Sequence, residues 1–122
     1  MSTLKADNLA NLAGTQSTSM LNAINGSAKA WVNFNGSGVV GIRAAYNVSS
    51  ITDNGVGLWT INLTVPFADT NYVTFVNGNV GTTAAWDTFV VNASKTTGGF
   101  QCGCNYTSAG FDSPYMTAAA FR

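Results

Sequence analysis

The chain has 122 residues, which allows one domain, and only 8% of them are charged, against roughly 25% in an average soluble domain. Five basic and five acidic residues balance to a net charge of zero, and histidine and glutamate are absent. This composition argues against hydrolases with a histidine base, against histidine-ligated metal centres, and against proteins that bind nucleic acid or anionic membranes through a basic surface.

The N-terminal part, residues 1–27, contains no aromatic residue, and its sparse apolar side chains stand among Asn, Thr, Ser and Ala. Leu9 with Leu12, and Met20 with Ile24, have helical spacing, but each stretch is too short to be a stable isolated helix. We therefore predict a mostly non-globular N-terminal arm over 1–27 and a folded domain over 28–122. The arm is either an extended leader or a segment for attachment or trimerisation that orders on a partner.

The same N-terminal residues lack the basic start and the continuous apolar run of a secretory signal peptide. No apolar stretch in the sequence reaches the length of about 18 residues that a membrane-spanning helix requires. We expect a protein that is made and kept in a cytosol, without membrane insertion.

From residue 28 onward, apolar and polar residues alternate with the period of two that is typical of half-buried strands. In 37–48 the even positions from Val40 to Val48 are the apolar ones, among them Ile42 and Tyr46. In 58–65 the apolar side carries Trp59, Ile61, Leu63 and Val65. The predicted strands are 28–34, 37–48, 58–65, 72–76, 84–92, 99–106 and 114–121.

Turn signals separate these strands. The dipeptides at 35–36, 54–55 and 77–78 are all Asn-Gly, which accepts positive φ and predicts tight hairpin turns. A further Asn-Gly at 25–26 closes the arm, 95–99 is predicted as a loop, and Pro114 opens the last strand. Short strands at intervals of about 10 to 14 residues predict an all-β fold, an antiparallel β-sandwich of jelly-roll type.

Cys102 and Cys104 are two residues apart on a predicted strand, so both side chains point to the same face. Neighbours on one strand cannot readily close a disulfide, and two cysteines without histidine fall short of a four-ligand zinc site. We expect reduced core cysteines. A metal ion or a disulfide shared between symmetry-related chains is the alternative.

The aspartates lie mostly in predicted turns, where this residue hydrogen-bonds its own backbone, and no calcium-loop spacing is present. A hydrolase acting on surface polysaccharide would need two carboxylates within roughly 10 Å of each other in a cleft. We therefore predict a protein that is not an enzyme, with no catalytic residue, no metal site and no cofactor.

Aromatic residues supply the candidate recognition site. Trp59, in phase with Ile61 and Leu63, is predicted to lie in the core. Phe111 lies in the turn-rich segment 107–113, and Tyr106 and Tyr115 lie on either side of it. All three are predicted to bind a receptor, because exposed aromatic rings offer an apolar face to sugar rings. A carbohydrate-binding module is accordingly one alternative function.

The stretch 28–65 resembles a module that recurs in tail-fibre and virion proteins of bacteriophages, especially those of marine and freshwater phages. The matching pieces are KAWVNF at 29–34, Arg43 with YNVSS at 46–50, and TDNG at 52–55. The leader MSTLKADNL and the ending at 116–122 resemble the two ends of such proteins. The resemblance implies a non-enzymatic structural protein of the virion, often a homotrimer, whose β-rich end projects outward.

From the resemblance we expect a small tail-fibre or fibre-tip subunit, assembled in the host cytoplasm and located in the virion. A capsid decoration or head-fibre protein is the nearest alternative. The expected partners are two further copies of the chain, other virion proteins bound through 1–27, and a glycan or protein of the host surface. Trimerisation would cover apolar positions and sheet edges that one small sandwich leaves exposed, and three displayed sites would gain avidity.

Overall fold

A computed structural model describes residues 2–3, 5–79 and 86–122. Within these ranges the chain forms eleven β-strands and one short α-helix. In chain order they are β1 (Asn8–Ala10), β2 (Ser17–Ser19), α1 (Met20–Gly26), β3 (Ala28–Asn35), β4 (Gly41–Tyr46), β5 (Val48–Gly55), β6 (Leu58–Leu63), β7 (Val73–Asn79), β8 (Trp86–Thr96), β9 (Gly99–Tyr106), β10 (Ala109–Gly110) and β11 (Tyr115–Phe121).

Two antiparallel sheets make up the folded domain. One has the strand order β4-β3-β11-β7. In the other, β5 pairs with β6, β6 with β9 and β9 with β8, while the short β10 pairs with the end of β9. One buried cluster draws side chains from both sheets. The prediction of an all-β antiparallel sandwich is confirmed.

The core follows the two-residue period on the central strands. Phe34 of one sheet and Trp59 of the other meet edge to face, with ring centroids 5.6 Å apart. The core prediction for Trp59 is confirmed, since its side chain is fully buried. Further buried side chains on these strands are Ala30, Val32, Ile61, Leu63, Phe100, Cys102, Cys104, Met116, Ala118 and Ala120.

The strand predicted over 37–48 is wrong in extent, and its phase is wrong within β4, although Val40 and Val48 on either side pack against the core as predicted. The structure has β4 over Gly41–Tyr46, a reversal at Asn47 with φ of 53°, and then β5. Ile42 and Tyr46 are exposed, whereas Ala45 packs on the core. The pairing of β4 with β3 shifts register beside Phe34, and such a bulge changes which face the following residues occupy.

The connection between β3 and β4 also differs from the prediction of a tight turn at 35–36. Asn35 pairs with Gly41, so the residues between them form an open loop. Gly36 is buried there, and a Cβ at this position would overlap the ring of Trp59. The glycine is required for close packing on the core rather than for a two-residue turn.

The Asn-Gly pair at 54–55 lies at the end of β5, and the turn itself is Val56-Gly57. The pair at 77–78 lies inside β7, so the turn predicted there is wrong. Gly78 faces Met116, whose sulfur a Cβ would overlap. This Asn-Gly dipeptide therefore allows β7 to pack closely on the core.

Two other predicted boundaries differ from those in the structure. The loop predicted at 95–99 is shorter, because β8 continues to Thr96 and pairs there with Gly99, the first residue of β9. Strand β6 ends at Leu63, so Val65 is exposed instead of lying in line with Trp59. The strand predicted over 84–92 begins in residues outside the described part and is seen from Trp86 onward.

The N-terminal residues have local structure of their own. Strands β1 and β2 form a hairpin, and the Ser19 hydroxyl accepts a hydrogen bond from the Asn22 amide to cap α1. The Asn-Gly pair at 25–26 forms the last turn of this helix. None of the described residues before Ala30 is buried. Among the described residues, no helix has the length and apolar character needed to cross a bilayer.

Candidate functional site

The predicted receptor-binding residues occupy two places in the fold. Tyr106, at the end of β9, and Phe111 form an edge-to-face pair with ring centroids 6.2 Å apart. Tyr115, on β11 of the other sheet, lies beneath the guanidinium of Arg43, which is 5.5 Å from the ring centroid. The structure brings Tyr106 and Phe111 together and associates Tyr115 with a different partner.

The segment 107–113 is held firmly against the end of the sandwich. The Phe111 amide donates to the Cys104 carbonyl at 2.9 Å, and the Gly57 amide donates to a carboxylate oxygen of Asp112 at 2.7 Å. Ser113 is fully buried, and its hydroxyl lies 2.8 Å from the Asn79 carbonyl oxygen. These bonds tie residues 111–113 to the sandwich and so position Phe111 beside Tyr106.

A larger aromatic surface lies on the outward side of the four-stranded sheet. Trp31, Tyr46 and Phe75 project from it with 42, 58 and 63% of their surface exposed. Their outward direction follows from strand alternation, because Ala30 and Val32 on either side of Trp31 point into the core. Contiguous exposed rings of this kind mark interaction sites on soluble proteins. We call this surface the aromatic face.

The aromatic face contains a groove that runs over β11. Cross-strand pairing places Ala119 between Trp31 and Phe75. Adjacent strands lie about 4.8 Å apart, so the backbones that carry the two rings are about 10 Å apart, with only a methyl group between them. The resulting groove has a volume of about 560 Å³. Phe75 is supported from the side by Phe121, with ring centroids 5.9 Å apart.

Polar side chains form the next row across the same strands. Asn33 pairs with Thr117, and Thr117 pairs with Asn77. Arg43 lies 3.4 Å from the Asn33 side-chain oxygen and donates to the Pro114 carbonyl at 2.7 Å. Among the described residues, the Asn33 amide nitrogen and the Asn77 side chain have no protein partner for a hydrogen bond, and no residue that lines the groove is ionisable.

The aromatic face was missed at the sequence level, although the sequence carried a signal for it. In KAWVNF the small and aliphatic residues Ala30 and Val32 share one phase, while Trp31 stands in the other phase with Lys29 and Asn33. A large aromatic residue on the polar side of an amphipathic strand is the pattern that indicates an exposed ring. The pairing with Phe75 comes from a strand distant in sequence.

A second groove, of about 610 Å³, lies beside the chain segment that leaves β6. Its lining includes two cationic side chains, both already engaged. Lys29 donates to the Ile24 carbonyl, and Arg122 forms an ion pair with Asp69. The cations are therefore occupied by contacts within the chain, and we do not assign this groove a ligand.

The two cysteines are buried free thiols, as expected for core residues. Burial, with a smaller contribution from Cys104, raises the pKa of Cys102 to about 12. Burial, with a smaller contribution from Asp87, also raises the pKa of Cys104. Both groups are thus neutral near pH 7, and a neutral buried thiol is a poor nucleophile and a poor metal ligand.

The aspartates at turns act on the backbone as expected. Asp53 accepts a hydrogen bond from the Gly55 amide at 3.0 Å, and Asp69 accepts one from the Asn71 amide at 2.7 Å. In the part of the chain that the structure describes, no group of three or more acidic or cysteine side chains is placed to hold a metal ion.

Comparisons of the chain with protein-family models, with curated proteins and with solved structures found no match.

Proposed function

We propose that the chain is a structural subunit of a bacteriophage virion, a tail-fibre or fibre-tip protein displayed as a homotrimer. In this proposal residues 1–27 attach the subunit to the particle or to a neighbouring chain, and 28–122 form the displayed sandwich. Support comes from the resemblance of 28–65 to phage virion modules and from the sandwich fold over those residues. A capsid location is the alternative, and labelling of the particle distinguishes it from the tail.

The observation that carries the proposal is the exposure of the N-terminal apolar side chains. Leu12 is fully exposed, and Leu21 and Ile24 have 65 and 52% of their surface exposed. The hairpin and helix that carry them contribute no side chain to the core. Exposed leucines on a segment that the domain does not need for its own core are typical of a docking element.

The surface chemistry of the sandwich suits a displayed particle protein. Hydroxyl and amide side chains bond to one another on the outside of the β5–β6 hairpin, where the Asn62 amide donates to Ser50 at 3.1 Å and Thr52 at 2.9 Å. Neutral contacts of this kind change little with salt concentration, because screening acts on charges. This surface is compatible with a particle that meets changing salt.

Deletion of residues 2–25 is expected to abolish incorporation into particles while the sandwich stays folded. The reason is that the deleted residues include exposed leucines, and those of them that the structure describes contribute no side chain to the core. Incorporation is measured by immunogold labelling and by co-sedimentation with purified particles, and folding is measured by near-ultraviolet circular dichroism.

Light scattering of the full chain is expected to give three times the mass of one chain.

A full-length double variant, Leu12→Ser with Leu21→Ser, provides the sharper test, and it is expected to incorporate poorly. Val39→Ser is the matched control, because Val39 is 91% exposed but lies in the loop between β3 and β4. Equal incorporation of the double variant and the control would contradict the attachment role. A monomeric full chain at micromolar concentration would contradict the homotrimer.

A further inference from the structure

We infer that the groove of the aromatic face binds a neutral glycan, with a hexopyranose ring seated over Ala119 between Trp31 and Phe75. The inference deepens the proposed function and rests on it for its setting, since a displayed subunit is what brings such a groove to a cell surface. Sugar binding can be measured on the purified chain without virus particles, so it is tested separately from the virion role.

The shape of the groove fits a flat ring with apolar faces. Trp31 and Phe75 project from strands on either side of β11, whose backbones are about 10 Å apart, and the small side chain of Ala119 leaves the floor between them open. Aromatic rings present a negative face, which attracts the polarised C–H groups of a pyranose ring. Trp31 and its cross-strand neighbour Tyr46 extend this platform to the edge of the sheet.

The polar row beside the groove fits the hydroxyl groups of a sugar. The Asn33 amide nitrogen is a donor, and the Asn77 side chain offers both a donor and an acceptor. Arg43 and Thr117 help to define this row: Arg43 approaches the Asn33 oxygen, and the Thr117 hydroxyl lies 3.4 Å from the Asn77 carbonyl oxygen. A ligand with hydroxyls around its rim can pair with both amides while its ring faces the aromatic walls.

A second copy of this chain is a less suitable occupant. An apolar partner surface placed on the groove would remove water from Asn33 and Asn77 without replacing their hydrogen bonds, which is unfavourable. The described residues that line the groove carry no ionisable group, and Arg43 beside it is engaged by the Pro114 carbonyl and the Tyr115 ring, which also favours a ligand without charge. Acidic glycans and phosphorylated sugars are not expected to be preferred.

Isothermal titration calorimetry of the full-length protein tests the inference. The ligands are cellohexaose, maltohexaose and mannohexaose. At least one of these neutral oligosaccharides is expected to bind, and binding is expected to be the same in low and high salt because no ion pair forms. Trp31→Ala and Phe75→Ala are each expected to weaken binding by about tenfold, the loss of one stacked ring. A galacturonic acid hexamer serves as the charged comparison.

Ala119→Leu is the decisive variant, because it fills the floor of the groove while both aromatic walls remain. It is expected to abolish binding without loss of folding, since Ala119 lies on the outward side of β11. Phe89→Ala is the matched control, because Phe89 is an exposed aromatic residue on β8 of the other sheet, and its removal is expected to leave the affinity unchanged.

The inference is overturned if the folded protein binds none of the three neutral oligosaccharides, if Ala119→Leu binds as well as the wild type, or if the acidic hexamer binds more tightly. It is also overturned if Trp31→Ala dissociates the oligomer, because the aromatic face would then be covered by another copy. Normal incorporation into particles alongside any of these results would leave the proposed virion role standing.

Discussion

Asn47 is the residue on which three segments of the sandwich converge. It adopts φ of 53° between β4 and β5, in the left-handed region that asparagine tolerates better than most residues. Its side-chain nitrogen donates to the carbonyl oxygens of Lys29 at 3.1 Å and Val65 at 3.2 Å, and its oxygen accepts from the Val65 amide at 2.7 Å. One side chain therefore joins the start of β3, the β4–β5 corner and the exit from β6.

Asn47→Ala is expected to lower the free energy of unfolding by about 2–4 kcal/mol. It removes these hydrogen bonds, and alanine tolerates positive φ less well than asparagine does. Asn47→Gly is the matched variant: it loses the same bonds but accepts the backbone conformation, so it should be about 1 kcal/mol more stable than the alanine variant. Urea unfolding measures both. Equal stability of the two variants would show that the backbone conformation is not a constraint.

At the scale of elements, the β9–β10 hairpin has a turn whose residues do not suit its conformation. Thr107 and Ser108 both have positive φ, at 48° and 69°, and Tyr106 pairs with Ala109 across them. Two consecutive residues at positive φ are the requirement of a type I′ turn, for which Asn-Gly is the preferred sequence. A β-branched threonine in the left-handed region is strained.

Replacing Thr107 by Asn and Ser108 by Gly is expected to raise the free energy of unfolding by about 1–2 kcal/mol, because both new residues accept positive φ readily. Thermal and urea unfolding measure the gain. Val56→Asn, in the turn between β5 and β6, is the control and should give no such gain, since Val56 does not have positive φ. A neutral or destabilising double substitution would argue against the turn geometry.

At the scale of the whole molecule, burial shifts the titration of three side chains in the same direction. The pKa values of Tyr72, Cys102 and Cys104 are all raised by loss of contact with water. The folded protein therefore keeps protons that the unfolded chain releases at alkaline pH. By linkage, this difference makes the free energy of unfolding fall as pH rises, beginning near the ordinary thiol pKa of 9.0.

Cys102→Ala is expected to reduce the fall of the free energy of unfolding between pH 9 and 12. The reduction is up to about 1.4 kcal/mol per pH unit, which is the contribution of one titrating group. Urea midpoints at pH 7, 9 and 10 measure the slope. Val90→Ala is the matched control: Val90 pairs with Cys102 and packs on the core, so its truncation lowers stability without changing the slope. Equal slopes for the two variants would contradict a buried, neutral Cys102.

The sequence predicted the elements whose signals are local. Alternation around Trp59, Ile61 and Leu63 gave the inward phase of β6, and the two-residue spacing of Cys102 and Cys104 placed both in the core. The candidate pair of Tyr106 and Phe111 was found because both residues flank one short turn. In each case the deciding contacts lie within a few residues along the chain.

Other features were decided by partners distant in sequence. Tyr46 points outward because the register shift of β4 against β3 pairs it with the exposed Trp31, whereas Ile42 pairs with Phe34. Gly78 lies within β7, where Met116 leaves no room for a Cβ. The contact between Arg43 and the Tyr115 ring also depends on tertiary structure, because the two residues meet only in the assembled sheet.

By itself the sequence determined an all-β sandwich with a neutral surface and a reduced, buried cysteine pair, because alternation and composition act residue by residue. Only the tertiary structure decided that Trp31 and Phe75 stand on either side of Ala119. Their strands are neighbours of β11 in the sheet but far apart in the chain, and strand order is set by how whole faces pack. The groove proposed to bind sugar exists because of that order.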